Sequence, residues 1–165
     1  MAKKMASQGT PATAALTAAG VPFVVHPYAH DPSAPSYGLE AAEVLRIDPA
    51  RVFKTLMVEV EGRLAVGVVP VSGSLDLKAV AGALGAKKAS MADPKAAERR
   101  TGYVLGGISP LGQRQPSPTV LDESALGFET IFVSGGRRGL DIEVAPADLV
   151  RLTRAVTAAI GSAKD

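Results

Sequence analysis

The chain has 165 residues, 47% of them apolar and 21% charged, with a formal net charge of +2. That length suits one domain with a buried core, and the balance excludes an intrinsically disordered chain. There is no cysteine, which excludes disulfides, thiolate metal sites and a cysteine nucleophile.

No apolar run is long enough to span a bilayer. The basic start Met1-Ala2-Lys3-Lys4-Met5-Ala6 has no apolar stretch behind it and does not read as a secretory signal. These features predict a cytoplasmic protein with no membrane partner. The charge is too mild to imply nucleic acid by itself. Lys87-Lys88, Arg99-Arg100, Arg114 and Arg137-Arg138 are either phosphate contacts or a solvated face.

Residues 1–9 read as a disordered tail and 10–165 as a single domain. Thr10-Pro11 is an N-cap with proline at the first helical position, and Gly20 is a stop for the Ala/Leu-rich run to Ala19. Phe23 to His26 reads as a strand. Pro27 to Gly38 holds three prolines and two tyrosines and reads as a long irregular loop, followed by a helix from Leu39 to Arg46. Val52 to Val60 and Leu64 to Val71 form a hairpin through Glu61-Gly62. The second strand is almost wholly apolar and so buried on both faces.

Ser72 to Ser74 reads as a turn, Asp76 to Leu84 as a helix and Lys87 to Met91 as a strand. Asp93-Pro94 opens a helix to about Arg100. Gly102 to Pro110 is a Gly-rich turn between strand-like runs. Thr119 to Asp122 and Thr130 to Ser134 are strands. Ser134 to Gly139 is a second Gly-rich turn, Leu140 to Val144 a strand, and Pro146 to about Ile160 a terminal helix. Strand pairs interrupted by short helices, without regular βαβ alternation, predict an α+β fold with a mixed or antiparallel sheet.

Standard catalytic signatures are missing: there is no G-x-S-x-G elbow and no phosphate-binding P-loop. His26 and His30, with Asp31 near, have a spacing that suits a metal only on a helix, which the flanking prolines forbid; the other reading is ordinary hydrogen bonding. Lys54 interrupts an apolar strand. On a regular strand it shares a face with Val52, Leu56 and Val58, opposite Phe53, Thr55 and Met57. It either holds a carbonyl or phosphate as a point charge or protects a sheet edge. Asp141, between Leu140 and Ile142, either pairs with Lys54 or caps its own turn. Each Gly-rich turn is either a plain hairpin or a backbone N–H floor for a ligand.

Six segments in order carry a family resemblance: His26-Pro27-Tyr28-Ala29-His30-Asp31-Pro32, Phe53-Lys54-Thr55-Leu56, Leu75-Asp76-Leu77-Lys78, Met91-Ala92-Asp93, the run Thr101 to Gln113, and Val133 to Glu143. Together they resemble the YbaK/EbsC family of free-standing tRNA-editing proteins from about Thr10 to Ile160. The resemblance implies a mixed, partly barrel-like β-sheet surrounded by short helices. It implies deacylation in trans of Cys-tRNA(Pro), with tRNA(Pro) charged with cysteine and prolyl-tRNA synthetase as partners and no cofactor or metal. Carried over, Lys54 is expected to hold the ester end of the substrate, and Tyr28, Thr55, Gly106, Gly107, Ser134 and Asp141 to line the pocket. Gly106 and Gly107 are expected to present N–H groups to a developing oxyanion.

The reaction the resemblance implies is attack of the substrate's own thiol on its ester, which leaves a thiolactone and needs no protein nucleophile. Two other readings stay open: an Ala-tRNA(Pro) deacylase, and a module that binds tRNA or a synthetase without cleaving.

Overall fold

The computed structural model describes residues 9–34 and 37–163. The expected tail lies outside the described residues except for Gly9. Helix α1 (Pro11–Ala19) begins as predicted. Thr10 Oγ1 accepts from the Thr13 N–H, and the Thr13 hydroxyl oxygen accepts from the Thr10 N–H, a reciprocal cap. The Thr10 hydroxyl also donates to Gly135 O, which ties this helix to a later strand.

Two sheets carry the domain. The first has the order β1 (Val24–Pro27), β8 (Leu140–Val144), β7 (Ile131–Arg137), all antiparallel. The second has the order β5 (Ala89–Met91), β2 (Phe53–Val60), β3 (Arg63–Pro70), β6 (Thr119–Asp122), β9 (Val156–Ala158). In it β5, β2 and β3 pair antiparallel, while β3–β6 and β6–β9 are parallel. A short pair, β4 (Gly73–Leu75) with β10 (Gly161–Ala163), closes one end. The other helices are α2 (Tyr37–Leu45), α3 (Leu77–Ala83), α4 (Pro94–Thr101) and α5 (Pro146–Thr153). This is the α+β class with mixed sheets that the sequence predicts.

Strand β3 is buried on both faces, as its composition requires. Val66 and Val68 enter the main core with Phe53, Met57, Ile131, Val133, Ile142 and Leu149. Ala65 and Val69 face a second cluster with Val80 of α3, Val120 and Ile160. A third, small cluster packs Phe132 against Val52, Val71 and Ala42 of α2. Each fully buried Leu, Ile, Val or Phe contributes roughly 1.5–3 kcal/mol relative to exposure.

Four expectations are corrected. The terminal helix stops at Thr153, because Arg154 takes a left-handed conformation (φ 57°) as its C-cap. The β-branched Val156 and Thr157 then pair in parallel with Val120 and Leu121. Ser72 to Ser74 is not only a turn, since Gly73 and Ser74 belong to β4. The run from Gly102 is no hairpin: it follows α4, and strand resumes only at Thr119. The second Gly-rich turn is largely strand. β7 runs to Arg137 with a bulge after Ser134, and only Arg138-Gly139 turn the chain.

Candidate active site

The two larger sheets meet where Val52 bridges Phe132 in parallel. Among the described residues no further β2–β7 pairing follows that bridge, and a cleft of about 430 Å³ opens there. β2 lines one wall, the β7–β8 hairpin another, and the stretch around Leu105–Ile108 with the start of α2 forms the rim.

Six of the seven residues expected from sequence reach this cleft: Tyr28, Lys54, Thr55, Gly106, Ser134 and Asp141. The register explains how. Ser134 lies directly opposite Asp141, and Asp141 directly opposite His26, so these side chains share one sheet face. Ile131, Val133, Ile142 and Val144 alternate to the other face and fill the core. Lys54 pairs with Val69 of β3, whereas β5 reaches β2 only at Val58–Val60. Lys54 thus sits half-buried on a stretch whose other flank is the cleft.

The electrostatics are unusual for a surface groove. Asp141 is only 6% exposed, and burial pushes its carboxyl up to about 7. The Tyr28 N–H donates to Gly139 O at 2.9 Å. Burial first, and then the Asp141 charge, push the Tyr28 phenol up to about 12, which keeps its proton in place as a donor. The Thr55 hydroxyl is buried with no hydrogen-bond partner among the described residues. Ser134 Oγ accepts from the Gly136 N–H inside the bulge.

Gly107 is placed differently from the expectation. Its N–H donates to Val104 O at 2.9 Å. A Cβ there would come within 2.8 Å of Arg137 Cα. Its small size is used to pack the rim against the hairpin backbone, and its N–H is already engaged in a turn. Tyr103 anchors the same segment from below, donating through its hydroxyl to Leu111 O at 2.7 Å.

The histidines go to separate neighbours. His26 Nε2 lies 3.0 Å from Glu143, which also meets Arg51 and Thr130. His30 Nδ1 lies 2.8 Å from Glu40. Among the described residues no three His, Cys, Asp or Glu side chains cluster to hold a metal, and no helix is long and apolar enough to cross a membrane.

Sequence reasoning did not single out Tyr37, and it offered Arg137 only as a phosphate contact or part of a solvated face, yet both line the cleft. Their signals were present, a tyrosine in a proline-rich loop and a basic pair beside glycines, but neither spacing says which way the side chain faces. Arg138 stacks on Tyr37 with its guanidinium carbon 4.5 Å from the ring centroid.

The fold and this cleft define an editing domain, and the chain belongs to the aminoacyl-tRNA editing domain family, whose model matches residues 31–152. One relative is 40% identical over 154 residues, covering 93% of each chain: the "Putative Cys-tRNA(Pro)/Cys-tRNA(Cys) deacylase EbsC" of Enterococcus faecalis. A solved structure titled "Crystal structure of a putative trans-editing enzyme for prolyl tRNA synthetase" is 26% identical with a TM-score of 0.78, covering 92% of this chain and 95% of that one. Another, of the hypothetical protein APE2540, shares the fold at 24% identity and a TM-score of 0.81, covering 93% and 100%.

Proposed function

We propose that this chain removes cysteine from mischarged Cys-tRNA(Pro), with the substrate thiol as nucleophile. The observation that carries the reading is the buried, unpartnered Thr55 hydroxyl inside a cleft that Lys54 and Asp141 also line. A polar group left unpaired in a folded protein costs on the order of 1–3 kcal/mol, and a ligand that pairs it recovers that cost. Membership of the editing family and the likeness to the named relative support the same substrate class.

In this reading the aminoacyl group lies along β2. Its α-ammonium meets Asp141, the Thr55 and Tyr28 hydroxyls orient the ester, and Lys54 holds the carbonyl or the terminal ribose as a point charge. The thiol sulfur attacks the carbonyl carbon, the bond to the ribose oxygen breaks, and the thiol proton ends on that oxygen. The products are a cyclic thiolactone and free tRNA. The chain has no cysteine of its own, and in this reading the nucleophile is the thiol that comes with the substrate. Positioning such an internal attack is worth roughly 7–11 kcal/mol of barrier. Gly106 is left as the N–H donor for the oxyanion. Prolyl-tRNA synthetase, where the mischarged tRNA is made, is the protein partner of this reading.

The assay uses tRNA(Pro) carrying labelled Cys, Ser, Ala or Pro. Only the Cys ester should be lost, and Ser should be spared because its hydroxyl is a far weaker nucleophile. Loss of the Ala ester alone would replace this reading with an alanine deacylase. Loss of none would leave a binding module.

A further inference from the structure

The Leu105 peptide groups are gripped from both sides by charged side chains. The Leu105 N–H donates to Glu98 Oε2 at 2.9 Å. The Leu105 carbonyl accepts from Arg138 Nε at 3.0 Å and from Nη2 at 2.6 Å. Charge-assisted hydrogen bonds are about twice as strong as neutral ones, and a guanidinium fork adds direction. The same guanidinium rests on Tyr37. Tyr37 packs against His30 with ring centroids 5.3 Å apart.

A trans peptide is planar, and its C=O and N–H point in opposite directions. The described chain has no cis bond. By fixing the Leu105 carbonyl, Arg138 fixes the direction of the Gly106 N–H on the far side of that peptide. Gly106 lines the cleft, and its N–H has no partner among the described residues. The guanidinium also polarises the peptide, which strengthens the N–H as a donor. Gly106 takes φ +84°, and a Cβ there would lie 2.6 Å from both Arg138 Nε and the Tyr37 ring. The glycine is therefore fitted against the Arg138–Tyr37 stack.

We propose that Arg138 is a positioning residue. Through the Leu105 carbonyl it aims and strengthens the Gly106 N–H, which then meets the ester oxygen as negative charge develops. The inference rests on the reading that the ester occupies this cleft.

The test compares kcat and KM for Cys-tRNA(Pro) in the wild type, Arg138→Ala and Arg138→Lys, alongside the amide proton shift of Gly106 in isotope-labelled protein. Arg138→Ala should lower kcat by roughly 10- to 100-fold with KM nearly unchanged, because a donor is misaimed while binding surface is kept. Added methylguanidinium should restore part of kcat. The Gly106 amide shift should move upfield. If Arg138→Ala does not fold, Arg138→Lys, which keeps the charge and loses the fork, should lower kcat several-fold with the same shift change.

An unmoved Gly106 amide overturns the inference, whether or not the protein is active. So does a raised KM with intact kcat, which would make Arg138 a phosphate contact. A wild type inactive on every ester, with the amide shift moving as expected, overturns the functional reading and leaves the geometry standing.

Discussion

At the residue scale the proposed chemistry rests on Thr55, Lys54 and Asp141, which line the cleft, and each makes a separate prediction. Thr55→Val keeps the shape and removes the buried orphan hydroxyl. It should raise stability by about 1 kcal/mol in urea unfolding and lower deacylation at least tenfold. A variant that loses both stability and activity would mean that the hydroxyl has a structural partner. Lys54→Ala should abolish turnover while its melting temperature stays near that of the wild type.

Asp141 also predicts a pH dependence of stability, and its sign follows from its environment. Burial raises the folded carboxyl to about 7, above the ordinary value of 3.8. Between those values the folded state holds a proton that the unfolded state has released. The contribution of Asp141 is therefore fully present below about pH 4 and lost as pH rises through 7. Glu143 acts in the opposite sense, because hydrogen bonding by Thr130 leads the effects that hold its carboxyl low. The comparison that isolates Asp141 is the difference between the wild type and Asp141→Asn. The Asn variant should gain on the wild type in urea midpoint from pH 4 to pH 8; parallel curves would refute the assignment.

At the scale of elements, the ends of helices decided more than their middles. α1 and α4 were legible because Thr10-Pro11 and Asp93-Pro94 are strong start signals, and both caps form: Thr10 Oγ1 accepts from the Thr13 N–H and Asp93 from the Ala96 N–H. The end of α5 was not legible. Arg154 adopts φ 57° without being glycine, a local strain that pairing of β9 with β6 and burial of Ile160 offset. Arg154→Gly should therefore raise stability by roughly 0.5–1 kcal/mol, read as a higher melting temperature; a lower one would show that the Arg154 side chain contributes more than its backbone costs. The bulge in β7 was hidden for a related reason. Gly135 and Gly136 look like turn residues, yet β7–β8 pairing resumes at Arg137 opposite Leu140, so the reversal shrinks to Arg138-Gly139.

Across the whole molecule, a net charge of only +2 gives little long-range attraction for a polyanion. In the proposed reading, affinity for tRNA comes from local basic groups such as Arg137, which is exposed at the cleft. The observed affinity should fall as salt rises, and Arg137→Ala should reduce the slope of log affinity against log salt by about 1. An unchanged slope would take Arg137 off the phosphate path.

Much of this protein was determined by sequence alone. Apolar alternation on β8, the doubly buried run of β3, the proline-led helix starts and the absence of cysteine are local properties, and they specify an α+β chain with no thiol of its own. The ordered segments around Lys54, Gly106 and Asp141 also specified the family. Tertiary structure alone decided how the glycine N–H left free beside the Val104–Gly107 turn is aimed. Gly107 and Gly106 are chemically identical in the chain. Val104 engages the first, and Arg138, from a hairpin more than thirty residues away in sequence, orients the peptide of the second. Hydrogen-bond direction depends on where a peptide plane is clamped, and that clamp exists only once the hairpin, α4 and the rim have packed together.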